Sequence, residues 1–372
     1  MKRWKVTFGL FLLLFALATT VACAETKEAK MDWNDRTVIF AQPGETIHFT
    51  YDVPEDFVVT KEEWLWYFAY TDGHGSFGSG SNDDEYGATH FESYTYEPTG
   101  IHVEWDGKGS ISLSANEMVR IQLHLNEYEY LFAYVVVADP AEYYTYEIQS
   151  GEATITGYNK DLLRRKVLIP EEIEGCPVTT IGDRAFYDMP SGIGKEFYIP
   201  DNVTTFGKEA FAASAYLDSV RMPQKLTKMG EGVFAACLQM HFLEIPDSLT
   251  EIPDYAFTNC WGYGEVNKYS AEQSIGRVEQ CVGKNVTKIG KYAFAGCWNM
   301  GKAWGDGRLP EKLESIGEGA FQYCYKIKSL EIPAGVTVIP DRTFQGCERL
   351  ESIQFDGDIT MIGAEAFDGC VA

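Results

Sequence analysis

The sequence predicts a mixed, β-rich chain: an N-terminal antiparallel β-sandwich over residues 31–140, then a repeat solenoid with short strands and short helical turns over residues 143–372. Two observations carry this. Eight short runs of β-branched and aromatic residues, separated by Gly, Pro, Asp and Asn clusters, fill the first part. In the second, a phrase of the form I-P-x-x-V-T-x-I-G-x-x-A-F-x-G-C returns about eight times, with phenylalanines at Phe186, Phe211, Phe234, Phe257, Phe294, Phe321, Phe344 and Phe367. The steps are 25, 23, 23, 37, 27, 23 and 23 residues. A period in the twenties marks stacked units, each burying its apolar side only against its neighbours.

The chain opens on an export signal over residues 1–24. Lys2, Arg3 and Lys5 precede an apolar run from Val6 to Ala18, shorter than the roughly 20 residues a bilayer span needs. Two cleavage patterns compete. Thr20-Val21-Ala22-Cys23 looks like a lipobox, which would make Cys23 a lipid-modified anchor, and Ala22-Cys23-Ala24 fits an A-x-A site that releases a soluble chain. Residues 25–30 read as a polar tether. The formal charge of −24 makes nucleic acid and anionic membrane surfaces poor partners, and any membrane association is expected through the N-terminal lipid anchor alone.

The expected strands of the first domain are Thr37–Phe40, Thr46–Tyr51, Trp64–Tyr70, His90–Tyr96, Ile101–Trp105, Ser110–Ser114, Val119–Leu125 and Tyr130–Val137. Residues 71–87, rich in Gly, Ser and Asp, form its longest expected loop. Asp139-Pro140-Ala141-Glu142 marks the boundary, and residues 146–170 read as a starting turn of the solenoid.

One unit shows how the repeat folds. In Leu330-Glu331-Ile332-Pro333 the apolar residues alternate, so Leu330 and Ile332 point inward from a short strand and Glu331 points out. Pro333 ends the strand by withholding a donor. Val336 and Ile339 fill the next side, and a helical turn at Thr343-Phe344 is expected to plant the ring in the core. Units such as Ile332 to Cys347 and Asn285 to Cys297 closely resemble the BspA-like class of bacterial leucine-rich repeat proteins. The resemblance covers residues 143–372 and leaves the first domain unassigned. It implies a cell-surface protein that binds host, matrix or bacterial surface proteins. The asparagine column of the common leucine-rich repeat is missing from these units.

Cys237, Cys260, Cys297, Cys324, Cys347 and Cys370 each fall three residues after a motif phenylalanine, a structural column expected as buried thiols, with disulfides the alternative, and not a C-x-x-C metal-ligand set. No H-E-x-x-H, G-x-S-x-G or phosphate-binding glycine loop occurs, so neither catalytic residues nor a cofactor are expected. The oxygen-rich segments Asp72–Gly75 and Asn82–Glu85 lack the order of a calcium loop and read as solvated. The outward strand residues Tyr198, Arg221, Glu244, Glu331 and Gln354, in line with Leu168, form the candidate binding face. Trp261, Trp298 and Trp304 stand where the period lengthens, and insertions leave a solenoid through its loops. The expected function is non-catalytic surface binding of a protein ligand through the repeats. The alternative is glycan capture by the first domain, whose Trp64, Trp66, Tyr67, Phe68 and Tyr70 could stack on sugars, with the repeats as a spacer.

Overall fold

The computed structural model describes strands within residues 26–137 and, with side chains, residues 139–163, 165–241, 243–262, 282–300 and 307–371. The first part holds β1 (Thr26–Met31), β2 (Val38–Ala41), β3 (Thr46–Tyr51), β4 (Glu63–Ala69), β5 (Phe77–Gly78), β6 (Ile101–Trp105), β7 (Gly109–Leu113), β8 (Met118–His124) and β9 (Tyr130–Val137). They form two sheets, β1-β3-β6-β7 and β2-β9-β8-β4-β5. The pairing corrects the antiparallel expectation, since β1 with β3, β3 with β6 and β2 with β9 run parallel. Hairpin-length spacing predicts antiparallel neighbours only where consecutive strands pair, and β2 pairs with a strand about a hundred residues on. Residues 26–30, expected as a tether, belong to β1. Edge pairing uses the backbone, so a charged sequence does not prevent it. His90–Tyr96 and the segments considered for calcium lie outside the described residues.

Asp139 caps the short helix α1 (Pro140–Tyr143): its Oδ1 accepts from the Ala141 N–H at 2.9 Å, and proline sits at the helix start. The solenoid begins with the hairpin β10 (Tyr144–Gln149) and β11 (Glu152–Tyr158), turned by Ser150 and Gly151 at φ 55 and 81. This pair of left-handed residues matches the strand twist. Two ladders of short parallel strands then grow. One runs from β11 through Cys176–Ile181 to Thr205–Phe206 and Lys228–Met229, aligning Ile181, Phe206 and Met229. The other aligns Val167, Phe197 and Val220 in Lys166–Leu168, Glu196–Tyr198 and Ser219–Arg221.

Every motif phenylalanine from Phe186 to Phe344 is fully buried. The rings stack along the axis, with centroids 5.0–5.6 Å apart and planes within 6–15° from Phe186 to Phe367. Phe257 to Phe294 and Phe294 to Phe321 keep this spacing, at 5.3 and 5.6 Å, although the chain between them is overlong. The stack is therefore no wider at the two overlong steps.

The turns that carry these rings are not helical, which corrects the sequence reading. Each has two left-handed positions, one two residues before the phenylalanine and one two residues after it. Arg184, Glu209, Tyr255, Tyr292, Arg342 and Glu365 fill the first in six of the coils, and Asp188, Ala213, Ala236, Asn259 and Tyr323 the second in five, all at φ 51–61. A helix would satisfy its N–H groups within itself. Here the phenylalanine N–H donates to the next coil: Phe294 to the Ala320 carbonyl at 2.8 Å and Phe321 to that of Thr343 at 2.9 Å, with the same link in the other coils. Alternating handedness turns every second N–H along the axis, and these inter-coil bonds offset a left-handed penalty of about 1–2 kcal/mol per non-glycine residue.

At two left-handed positions a tyrosine is followed by glycine in the next coil. Tyr323 lies over Gly346, whose added Cβ would come within 2.3 Å of the ring, and Tyr292 lies over Gly319 in the same way. Gly346→Ala is expected to cost about 1–2 kcal/mol in urea unfolding, with part regained when Tyr323→Ala is added. Strictly additive costs would show that the ring and the glycine are not coupled.

The cysteine column also acquires a physical role. The Cys237, Cys260, Cys297, Cys324, Cys347 and Cys370 thiols each donate to the phenylalanine carbonyl of the preceding coil at 3.1–3.3 Å. Ser214 holds the same column one coil earlier and donates to the Phe186 carbonyl at 2.8 Å. The column selects a small donor, and these cysteines are free thiols.

Candidate functional site

Two surfaces present the residues singled out in the sequence. On the first, parallel register aligns Leu168, Tyr198 and Arg221 on the outward side of their strands, and further along Glu331 aligns with Gln354. Glu244 is exposed between buried Leu243 and Ile245. Arg308, bridged to Glu331, belongs to the same column and was missed by the sequence reading. The overlong unit before it hides the match between Leu309-Pro310 and Ile332-Pro333, which would have placed it.

Leu168 is not on the open face. It is 4% exposed, buried against Val38 and Val136 of β2 and β9, with Phe40, Tyr143 and Tyr198 around it. The N-terminal sheet thus covers the first rung, and Tyr198 stands at its margin. Cations flank the Tyr198 ring: Lys166 Nζ is 5.6 Å and Arg221 Cζ 5.2 Å from its centroid. Much of the other charge on the face is paired. Arg308 contacts Glu331 at 2.9 Å, Glu311 at 3.3 Å and Asp356 at 3.3 Å, spanning three coils. Glu331 chiefly, with Asp356 and Glu311, raises the Arg308 pKa, so the guanidinium is held charged. Lys195 pairs with Asp218 at 3.6 Å, and His241 Nδ1 meets the same carboxylate. Such exposed pairs add little stability, but they leave few uncompensated charges for a ligand.

The second surface is the edge between the phenylalanine turn and the following strand. Trp261 and Trp298 take the position after the column cysteine in successive coils. Their rings stack at 4.7 Å and 9°, and they are 40% and 42% exposed. The Asn299 side chain donates to the Trp261 carbonyl at 2.8 Å and ties the two coils together. Tyr325 continues the row 5.7 Å from Trp298, tilted by 56°, and Tyr323, 44% exposed, lies 6.3 Å from Tyr325. Sequence spacing could not pair Trp261 with Trp298, which are 37 residues apart, without the coil register. Trp304 and Cys23 lie outside the described residues.

Neither surface assembles metal chemistry: among the described residues no group of three His, Cys, Asp or Glu side chains could hold an ion. Among the same residues no helix is long and apolar enough to cross a membrane. What the arrangement offers is contact area, with a self-neutralised strand face and an exposed aromatic row beside the two period breaks.

A sequence profile described as a BspA type leucine rich repeat region matches residues 169–264 and 278–372 in six copies. Solved structures similar to the chain include a leucine rich repeat protein of T. pallidum, at 24% identity over 62% of this chain and 88% of that one, with a TM-score of 0.42. A leucine-rich repeat protein from Bacteroides capillosus is 28% identical over 34% of this chain and 92% of that one, with a TM-score of 0.28. A leucine rich cell surface protein from Faecalibacterium prausnitzii is 19% identical over 57% of this chain and 93% of that one, with a TM-score of 0.30. No curated protein matches the chain.

Proposed function

The chain belongs to the BspA-type leucine-rich repeat family, and from that premise we propose that it is a non-catalytic binding protein whose repeat surface engages a protein ligand at the cell surface. The observation that carries this reading is the aromatic row of exposed Trp261, Trp298 and Tyr323 with half-buried Tyr325 on a rigidly stacked scaffold. Contiguous exposed aromatics on a polar surface are the usual anchors of protein interfaces, and tryptophan and tyrosine lose little entropy on binding. Export through the leader, with anchoring at Cys23, supplies the location in this reading.

The test is capture of surface proteins by the full mature chain, compared with Trp261→Ser and with Arg221→Glu/Glu244→Arg. A specific partner lost with the tryptophan variant places binding on the aromatic row, and one lost with the charge-swapped pair places it on the strand face. No saturable partner at micromolar concentration would overturn the proposal. In cells, Cys23→Ser should release an exported chain from the membrane fraction, and an unchanged distribution would rule out the lipid anchor.

A further inference from the structure

The aromatic row differs in one respect from two tyrosines early in the solenoid. There the chain places its own cations on the ring: Arg184 Cζ sits 4.0 Å from the Tyr187 ring centroid, and Lys166 and Arg221 flank Tyr198. Among the described residues no cation lies over Trp261, Trp298, Tyr325 or Tyr323. The two indoles cover one face of each other, but the tilts of 56° and 43° further along leave ring faces of Trp298, Tyr325 and Tyr323 uncovered by one another. Glu348, exposed, takes the place of Tyr325 in the next coil and ends the row with a carboxylate. Lys326 and Arg349, next in the chain after Tyr325 and Glu348, border it on the strand side.

The geometry points to a cationic protein segment as the occupant of this row, its Arg or Lys side chains stacking on Trp298, Tyr325 and Tyr323 with Glu348 as counter-charge. This deepens the protein-binding reading and rests on it. Charge complementarity is its first support: a chain with 55 acidic and 31 basic residues attracts a basic partner and repels an acidic one. The second is that the fold itself places cations on such rings, an attraction that is strongest for tryptophan. Spacing is the third. Alternate residues of an extended peptide project to the same side about 6.7 Å apart, close to the 5.7 and 6.3 Å between successive rings. Arginine at every second position would therefore meet one ring each.

The probe is a fluorescein-labelled peptide of alternating Arg and Thr, titrated with the full mature chain at about 0.15 M salt. The comparison peptides carry citrulline, which keeps the shape without the charge, or glutamate in place of arginine. Saturable binding of the arginine peptide alone is expected, with roughly tenfold loss for Trp298→Leu and for Tyr325→Leu. Glu348→Lys, which leaves the rings in place, should also weaken it. Equal binding by wild type and both leucine variants would reduce the effect to overall acidity and overturn the inference, as would equal binding of the citrulline peptide or of a neutral glycan. Surface-protein capture that survives in the leucine variants, with no peptide binding, would sink this inference while leaving the protein-binding function standing. Peptide binding at the row without any captured surface protein would support the site and sink that function.

Discussion

Stability should fall steeply once the pH rises above about 8.5, long before most lysines titrate. Burial pushes up the thiols of Cys237, Cys260 and Cys324, with neighbouring cysteines of the column adding to the shift at Cys237 and Cys324. For Cys347 burial first and Cys370 second push the value up to about 12. In the folded chain each thiol stays protonated and donates to a carbonyl, whereas in the unfolded chain it ionises near 8.5. The folded value lies above the unfolded one. The thiol contribution is therefore complete below about 8.5 and is lost as the pH climbs towards the folded values, for Cys347 across about 8.5 to 12. Each thiol that stays protonated in the fold costs on the order of 1 kcal/mol per pH unit in that window, so the column together costs a large fraction of a typical domain's stability. Urea midpoints at pH 7.5, 9 and 10 under reducing conditions measure it. Cys324→Ser/Cys347→Ser keeps the donors, as Ser214 does naturally, and should clearly flatten the pH dependence. An equal slope in that variant would remove the thiols as its cause.

The second large effect is expected from Phe294→Ala. Its ring lies between Phe257 at 5.3 Å and Phe321 at 5.6 Å and is fully buried. Truncation leaves a cavity that neighbouring rings, fixed by inter-coil hydrogen bonds, cannot fill, at a cost of about 3–5 kcal/mol. Stability in a solenoid is a sum of unit and nearest-neighbour terms. Loss at a central rung should therefore uncouple the two sides, lowering the urea m-value or splitting the transition. Phe367, half-buried and, among the described residues, stacked on Phe344 alone, should cost clearly less. Equal losses at the two positions would mean that the column is not a coupled stack.

Much of the solenoid was legible because its fixed residues each report one constraint. Phenylalanine at a steady step requires a stacked core, proline after the strand ends it, and cysteine three residues after the ring marks a second buried column. The inward Leu330 and Ile332 and the outward Glu331 followed from alternation alone. The turn was misread as helical because a left-handed position leaves little trace when Arg, Glu, Tyr and Asn fill it as well as Gly. The parallel pairs of the first domain escaped for a different reason: local composition marks a strand but does not choose a distant partner.

By itself the sequence determined the repeat, its core columns, its family resemblance and the two places where the period breaks, since each is written in residues a few positions apart. Tertiary structure alone decided what those residues meet. Coil register stacked Trp261 on Trp298, lined up Arg308 with Glu331 and Asp356, and set Leu168 under Val38 and Val136. These contacts join residues 23 to 130 positions apart, and their geometry comes from the backbone bonds that hold one coil against the next.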